Sequence, residues 1–237
     1  MCRVRVCVAI LIVAILGGCA TGGGPARRGN GIDQMPMYGG MDRQSVPQLK
    51  QADEQLIAET TKEFGSREKA SGAFVDQGIR YYKVDNYAAA MRRFNQAWLL
   101  NPNNPDVFWG FGIVFHDEGR VCEAKDMIDR AISLKLSKPI ALADAGRIYT
   151  LCGASNQSFD SATKQKYFET SEDLYEKASS ASPNNDYVPG SWATAYYWRG
   201  DYARSWQMVA KARSLGFVFP GQFINLLRQK MPEPRSQ

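Results

Sequence analysis

From Ser45 onward the apolar positions recur at helical spacing. Leu49, Ala52, Leu56, Thr60 and Phe64 fall on one stripe, with Pro47 suited to open that helix and Gly65 to close it in a left-handed conformation. Beyond it, residue types return every 34 positions: Gly78, Gly112 and Gly146; Tyr81, Phe115 and Tyr149; Ala90 and Ala124; Phe94 and Ile128; Ala97 and Ala131. A period of that length marks a repeated pair of elements. Lys83-Val84-Asp85-Asn86 and Arg199-Gly200-Asp201 break and restart helices within a unit. Asn101-Pro102-Asn103-Asn104-Pro105 and Ser182-Pro183-Asn184-Asn185 separate one unit from the next. The pattern predicts pairs of antiparallel helices. A Gly or Ala lets the two axes approach, and an aromatic ring fills the space left.

The chain before Ser45 is of another kind. Arg3 and Arg5 precede an unbroken apolar run, Val6 to Leu16, of 11 residues. As a helix it spans about 16 Å, half a bilayer core, so residues 1–18 read as a secretory signal and not as a membrane span. The run ends in Leu16-Gly17-Gly18-Cys19, which resembles the bacterial lipoprotein box. That resemblance implies cleavage before Cys19 and lipid on its thiol. With Ala20 in place of an Asp, it implies an outer-membrane lipoprotein of Gram-negative bacteria, its body facing the periplasm. Residues 20–48 hold seven Gly and three Pro without helical periodicity, so 19–48 is expected to be a flexible tether. Within it, Met35-Pro36-Met37-Tyr38-Gly39-Gly40 suits either a short docking motif or plain linker.

The 34-residue pattern itself resembles the tetratricopeptide repeat (TPR). The first unit carries Phe74, Gly78, Tyr81, Ala90, Phe94, Ala97 and Pro102. The second has Phe108, Gly112, Phe115, Ala124, Ile128 and Ala131, with Leu136 where the Pro belongs. The third begins Leu142, Gly146, Tyr149 and resumes at Ser171, Tyr175, Ala178 and Pro183 after an insertion. The fourth, with Ala193, Tyr196, Ser205, Val209 and Ala212, is the most degenerate. The resemblance implies an all-α, right-handed α-solenoid of about four helix-turn-helix units over residues 49–231. Its repeats are expected near 71–104, 105–138, 139–185 and 186–219, with a helix before them and a tail at 232–237. Gly153 to Ser158 reads as a surface loop in the insertion, and Lys164 onward as an extension of the following helix. Phe223, Leu226 and Leu227 suit a final helix over 220–231, either a cap that closes the open apolar end of the stack or a helix that binds a partner.

Composition narrows the function. The formal charge of +5, from 29 basic and 24 acidic residues, is too mild to argue for nucleic acid. A single histidine, His116, excludes a multi-histidine metal site. No Gly-x-Ser-x-Gly, Gly-Lys-Ser/Thr, Cys-x-x-Cys or His-Glu-x-x-His motif is present, and neither a catalytic residue, a metal nor a cofactor is expected. In the repeat register, Cys122 opens the second helix of unit two and Cys152 ends the first helix of unit three, at the same end of adjacent units. They are either two separate thiols or a disulfide, which an oxidising compartment favours and which is worth about 3 kcal/mol.

The resemblance further implies a concave groove lined by first helices. The groove-facing steps hold Tyr82, Asp106, Trp109, Ile113, His116, Arg147, Tyr187 and Tyr197. The Lys, Asn and Arg set with which some family members clamp a peptide carboxylate is missing. The expected partner is therefore a protein or an extended peptide with apolar side chains, taken chiefly by Tyr82, Trp109, His116, Arg147 and Tyr197. A glycan stacked on the same rings is the alternative. The implied role is an envelope adaptor held at the membrane by its lipid.

Overall fold

The structure, a computed structural model, describes residues 31–234. The signal segment and Cys19 lie outside the described residues. Those described form ten α-helices with no strand and divide into two compact units, the boundary falling at Pro102–Asn103.

The first unit opens with three short 3-10 turns, Ile32–Gln34, Pro36–Gly40 and Arg43–Ser45. Helices α1 (Pro47–Phe64), α2 (Arg67–Tyr82) and α3 (Tyr87–Leu100) follow. Helix α1 ends at Gly65 with φ 81°, the left-handed closure expected there. Its inward stripe is turned from the expected one: Ala52 is exposed and Asp53 is buried in its place. Asp53 tolerates burial because Arg43 bonds it twice, at 2.8 and 2.6 Å. This corrects the reading of 19–48 as a tether throughout, since residues 32–45 lie on α1 and α3 as a docked strap.

The second unit holds α4 (Pro105–Asp117), α5 (Val121–Ser133), α6 (Pro139–Ser155), α7 (Ser161–Ala181), α8 (Tyr187–Trp198), α9 (Tyr202–Ser214) and α10 (Gly221–Lys230). Four antiparallel hairpins result over the two units: α2/α3, α4/α5, α6/α7 and α8/α9. Tight turns at three of them place Asp85, Gly119 and Gly200 at φ 59°, 80° and 78°. Asp85 and Gly119 are themselves one repeat apart. Each turn is followed by a helix start, and Asn86 and Asp201 accept the Ala89 and Arg204 amides as N-caps.

The recurring small residue has a direct steric cause. A Cβ added at Gly78 would lie 2.3 Å from the Phe94 ring, at Gly146 2.8 Å from the Tyr175 ring, and at Gly112 3.1 Å from Ile128. Phe94, Ile128 and Tyr175 are fully buried. Small residue and large partner thus form one knob and one hole in each hairpin. Ser71 and Ser171 add hydroxyl bonds across the same contact, to the Ala97 and Gly146 carbonyls at 2.9 and 2.7 Å.

The insertion departs from expectation. Gly153 to Ser155 remain helical, because Gly153 packs against Tyr167 and Phe168 from α7. Only Asn156–Asp160 is loop, and α7 begins at Ser161 with Asp160 as its N-cap. At the other end α10 buries Phe223, Ile224 and Leu227 against Trp206, Val209, Phe217 and Phe219. Leu226, expected inside, is half-buried, and Ile224 takes its place. Trp206 Nε1 donates to the Met231 carbonyl at 3.1 Å and fastens the last turn.

Candidate functional site

Helices α4, α6 and α8 are the first helices of successive hairpins, and α6 lies against both of the others. Between them stands Asp144, on α6 and buried. Its Oδ2 accepts the Trp109 indole N–H from α4 at 3.0 Å. Its Oδ1 accepts Arg147 Nη2 at 3.0 Å, one turn further along α6, and the Tyr187 hydroxyl from α8. One carboxylate therefore takes a donor from each of three first helices. A buried carboxylate is tolerable only when paired and hydrogen-bonded, and Asp144 meets both conditions.

His116 closes the α4 side. Its Nδ1 lies 2.6 Å from Asp117 Oδ1, and its side chain is only 10% exposed. Burial disfavours the imidazolium most, and the positive charge of Arg147 adds to that. The Asp117 bond and the Asp117 and Asp144 charges act the other way, and the net effect lowers the His116 pKa. That environment favours the neutral imidazole. Burial also raises the Tyr187 phenol well above its usual value, with the Asp144 carboxylate acting in the same sense, so the hydroxyl stays a donor.

The residues expected on the groove thus separate. Trp109, His116, Arg147 and Tyr187 gather around Asp144. Trp109 is 7% exposed, which makes it a wall of this cluster and not a free anchor; its N–H is already spent on Asp144. Ile113 is core. Asp106 is bound to Lys138, Oδ2 to Nζ at 2.7 Å. Tyr197 joins the C-terminal cluster instead, edge-on to Trp198 and Phe223 at 5.5 and 5.8 Å between ring centres. Tyr82 belongs to the first unit and packs on Tyr87 at 5.8 Å.

Asp144 was not among the expected residues, because its repeat step lies outside the groove-facing set; the positions 34 and 68 residues earlier are Gly110 and the exposed Asp76. One signal was available. It is the only acidic residue between Ile140 and Ile148, and it stands three residues before Arg147, the spacing of a helical ion pair.

A second polar array lies on the next helices. Glu172 of α7 accepts the Tyr196 hydroxyl and Arg199 Nη1, the latter at 2.8 Å. Burial, and then Glu172, raise the Tyr196 phenol to about 12. The Trp192 ring is stacked between Tyr175 and Tyr196, at 5.2 and 5.8 Å.

Cys122 and Cys152 join the start of α5 to the end of α6. Their Sγ atoms are at disulfide distance, 2.06 Å, with Cα atoms 4.9 Å apart. Among the described residues no group of three or more His, Cys, Asp and Glu is placed to hold a metal ion. No helix among them is long and apolar enough to cross a membrane.

No protein-family model matches the sequence, and no curated protein matches it. The fold has solved relatives. One is a thermophilic TPR protein of Thermus thermophilus, with a TM-score of 0.55 and 15% sequence identity over 68% of this chain and 80% of that one. The fold is accordingly an all-α array of helix-turn-helix units of tetratricopeptide type.

Proposed function

We propose that the chain is a lipid-anchored adaptor that holds protein partners at the periplasmic face of the outer membrane, as a binding scaffold and not a catalyst. The observation that carries the binding role is the convergence of α4, α6 and α8 on Asp144. Side chains on three first helices are fixed before any partner arrives, so little ordering entropy remains to be lost on binding. Arg147 and Tyr187 keep part of their surface in solvent at this cluster, and Trp198 is 42% exposed further along the same series of helices. A partner segment with apolar or aromatic side chains and a hydrogen-bond acceptor suits that mixture. The anchor rests on Leu16-Gly17-Gly18-Cys19 behind its charged and apolar leader.

Photo-crosslinking amino acids at Arg147 and Trp198, introduced in cells, test the binding role. Adducts with one defined protein support it. Adducts with glycan alone, or none above those from the exposed control position Lys62, overturn it. The anchor has its own test, because Cys19→Ser should abolish incorporation of labelled fatty acid; undiminished labelling would remove it.

A further inference from the structure

The strap from Ile32 to Ser45 has almost no core of its own. Ile32, Met35 and Met41 are exposed, and Tyr38 alone is buried. Its backbone is left-handed at four successive residues, Met37, Tyr38, Gly39 and Gly40, with φ of 50°, 52°, 66° and 74°. Glycine adopts that conformation freely, whereas methionine and tyrosine hold it only where surrounding contacts enforce it.

Those contacts come from the helices. Asn95 of α3 is fully buried. Its Oδ1 accepts the Tyr38 amide at 3.1 Å, and its Nδ2 donates to the Asp33 and Met35 carbonyls, both at 2.8 Å. A single amide side chain thus recognises three backbone groups of the strap. Asp53 of α1 receives Arg43 in a bidentate pair, and the guanidinium also covers the Tyr38 ring at 3.9 Å. At the rim Arg92 lies 3.5 Å from Asp33, with both side chains a little under half exposed. Affinity is therefore concentrated in Asn95 and Arg43–Asp53; the strained turn opposes docking, and the exposed apolar residues add little to it.

We propose that residues 32–46 are a releasable intramolecular latch: a self-ligand of the α1–α3 face, read by Asn95 and Asp53, whose undocking lengthens the connection between Cys19 and the helical body. The lengthening rests on the lipid-anchor reading; the latch does not. Fifteen residues of freed chain have a root-mean-square span of about 20 Å, and because spans in series add as squares the connection lengthens by somewhat less. Docked and released states thus differ in how far from the anchor the body can act. Tyr38 is the one buried side chain of the strap, so release leaves the hairpin core in place.

Hydrogen exchange on the purified full chain tests this, with trypsin cleavage after Arg43 as a second readout. In the wild type the Tyr38 amide is protected, yet it exchanges at least about tenfold faster than amides of the α2/α3 core, because it opens separately from them. Asn95→Asp keeps an acceptor for Tyr38 but turns a second acceptor toward the Asp33 and Met35 carbonyls. Tyr38 protection should fall by about tenfold or more and cleavage after Arg43 should accelerate, with the core amides unchanged. Tyr38→Ala, which alters the strap and not the helices, should do the same. The latch is refuted if the wild-type Tyr38 amide exchanges as in an unfolded chain, or if strap and core lose protection together in both variants. Neither result depends on Cys19, so failure of the lipid reading would show only in the labelling experiment.

Discussion

Trp109 and Asp144 are joined by a 3.0 Å indole-to-carboxylate hydrogen bond that links the first helices of two successive hairpins. The same carboxylate also holds Arg147 and Tyr187. One side chain of α6 thus ties three first helices together.

Removing Asp144 should therefore be costly. Asp144→Ala leaves the Arg147 cation without this carboxylate, and the buried Trp109 N–H and the part-buried Tyr187 hydroxyl without this acceptor, at a cost of about 3–5 kcal/mol. Asp144→Asn keeps an acceptor and loses the charge, so it should cost less. Urea unfolding followed by circular dichroism measures both. A loss below about 1 kcal/mol for the alanine variant would show that the cluster does not hold the helices together.

Trp109→Phe separates packing from hydrogen bonding. It keeps an aromatic ring in the wall and deletes the N–H, at a cost of about 1–2 kcal/mol. If Trp109 serves the groove only by fixing Asp144, partner affinity should change less than about threefold. A thirtyfold loss of affinity in a folded variant would instead make the indole itself a contact.

The His116 environment predicts a pH dependence. The folded-state pKa lies below the unfolded value of about 6.5. As pH falls through 6.5, unfolded chains take up a proton that folded ones refuse. Stability is thus present above the unfolded value and declines toward the lower folded value, by at most about 1.4 kcal/mol per pH unit. His116→Gln should flatten that part of the curve. Thermal unfolding of both proteins from pH 7.5 to 5 checks it, and parallel curves would remove His116 as the cause.

Oxidised protein should yield one proteolytic peptide containing both Cys122 and Cys152 under non-reducing mass spectrometry. The bridge spans 30 residues of sequence. Its reduction should cost about 3 kcal/mol by the chain-entropy argument. Helical content at low temperature should survive, because the α4/α5 and α6/α7 contacts do not depend on the sulfurs. Quantitative alkylation of both thiols without reductant would show that the bond does not form.

The hairpins were legible because knob and hole lie in the same local unit, so Gly78 with Phe94 and Gly112 with Ile128 repeat at the same spacing, which the insertion widens only for Gly146 with Tyr175. Asp144 was hidden for the opposite reason. Its partners come from helices 35 and 43 residues away in sequence, and a repeat register describes helix packing but not hydrogen bonding. The strap was hidden more deeply. Its composition is that of a linker, and its order depends on Asn95, 57 residues beyond Tyr38. Asp53 shows the same dependence, since a carboxylate on the buried stripe makes sense only once Arg43 is in place.

Two glycines in α2 should respond to the same substitution with opposite signs. At Gly72 an added Cβ meets nothing within 4 Å. Gly72→Ala should therefore gain helix propensity alone and stabilise by about 0.5–1 kcal/mol. At Gly78 the Cβ would lie 2.3 Å from Phe94 Cε1, and the Phe94 ring is fully buried. Overpacking of that kind costs about 1–3 kcal/mol, more than the propensity gain. Gly78→Ala should therefore destabilise, and the double variant Gly78→Ala/Phe94→Leu should recover part of the loss by vacating the hole. Equilibrium unfolding of the three variants decides the point. If Gly78→Ala stabilises as Gly72→Ala does, α2 and α3 are not in the close contact that the repeated glycine requires.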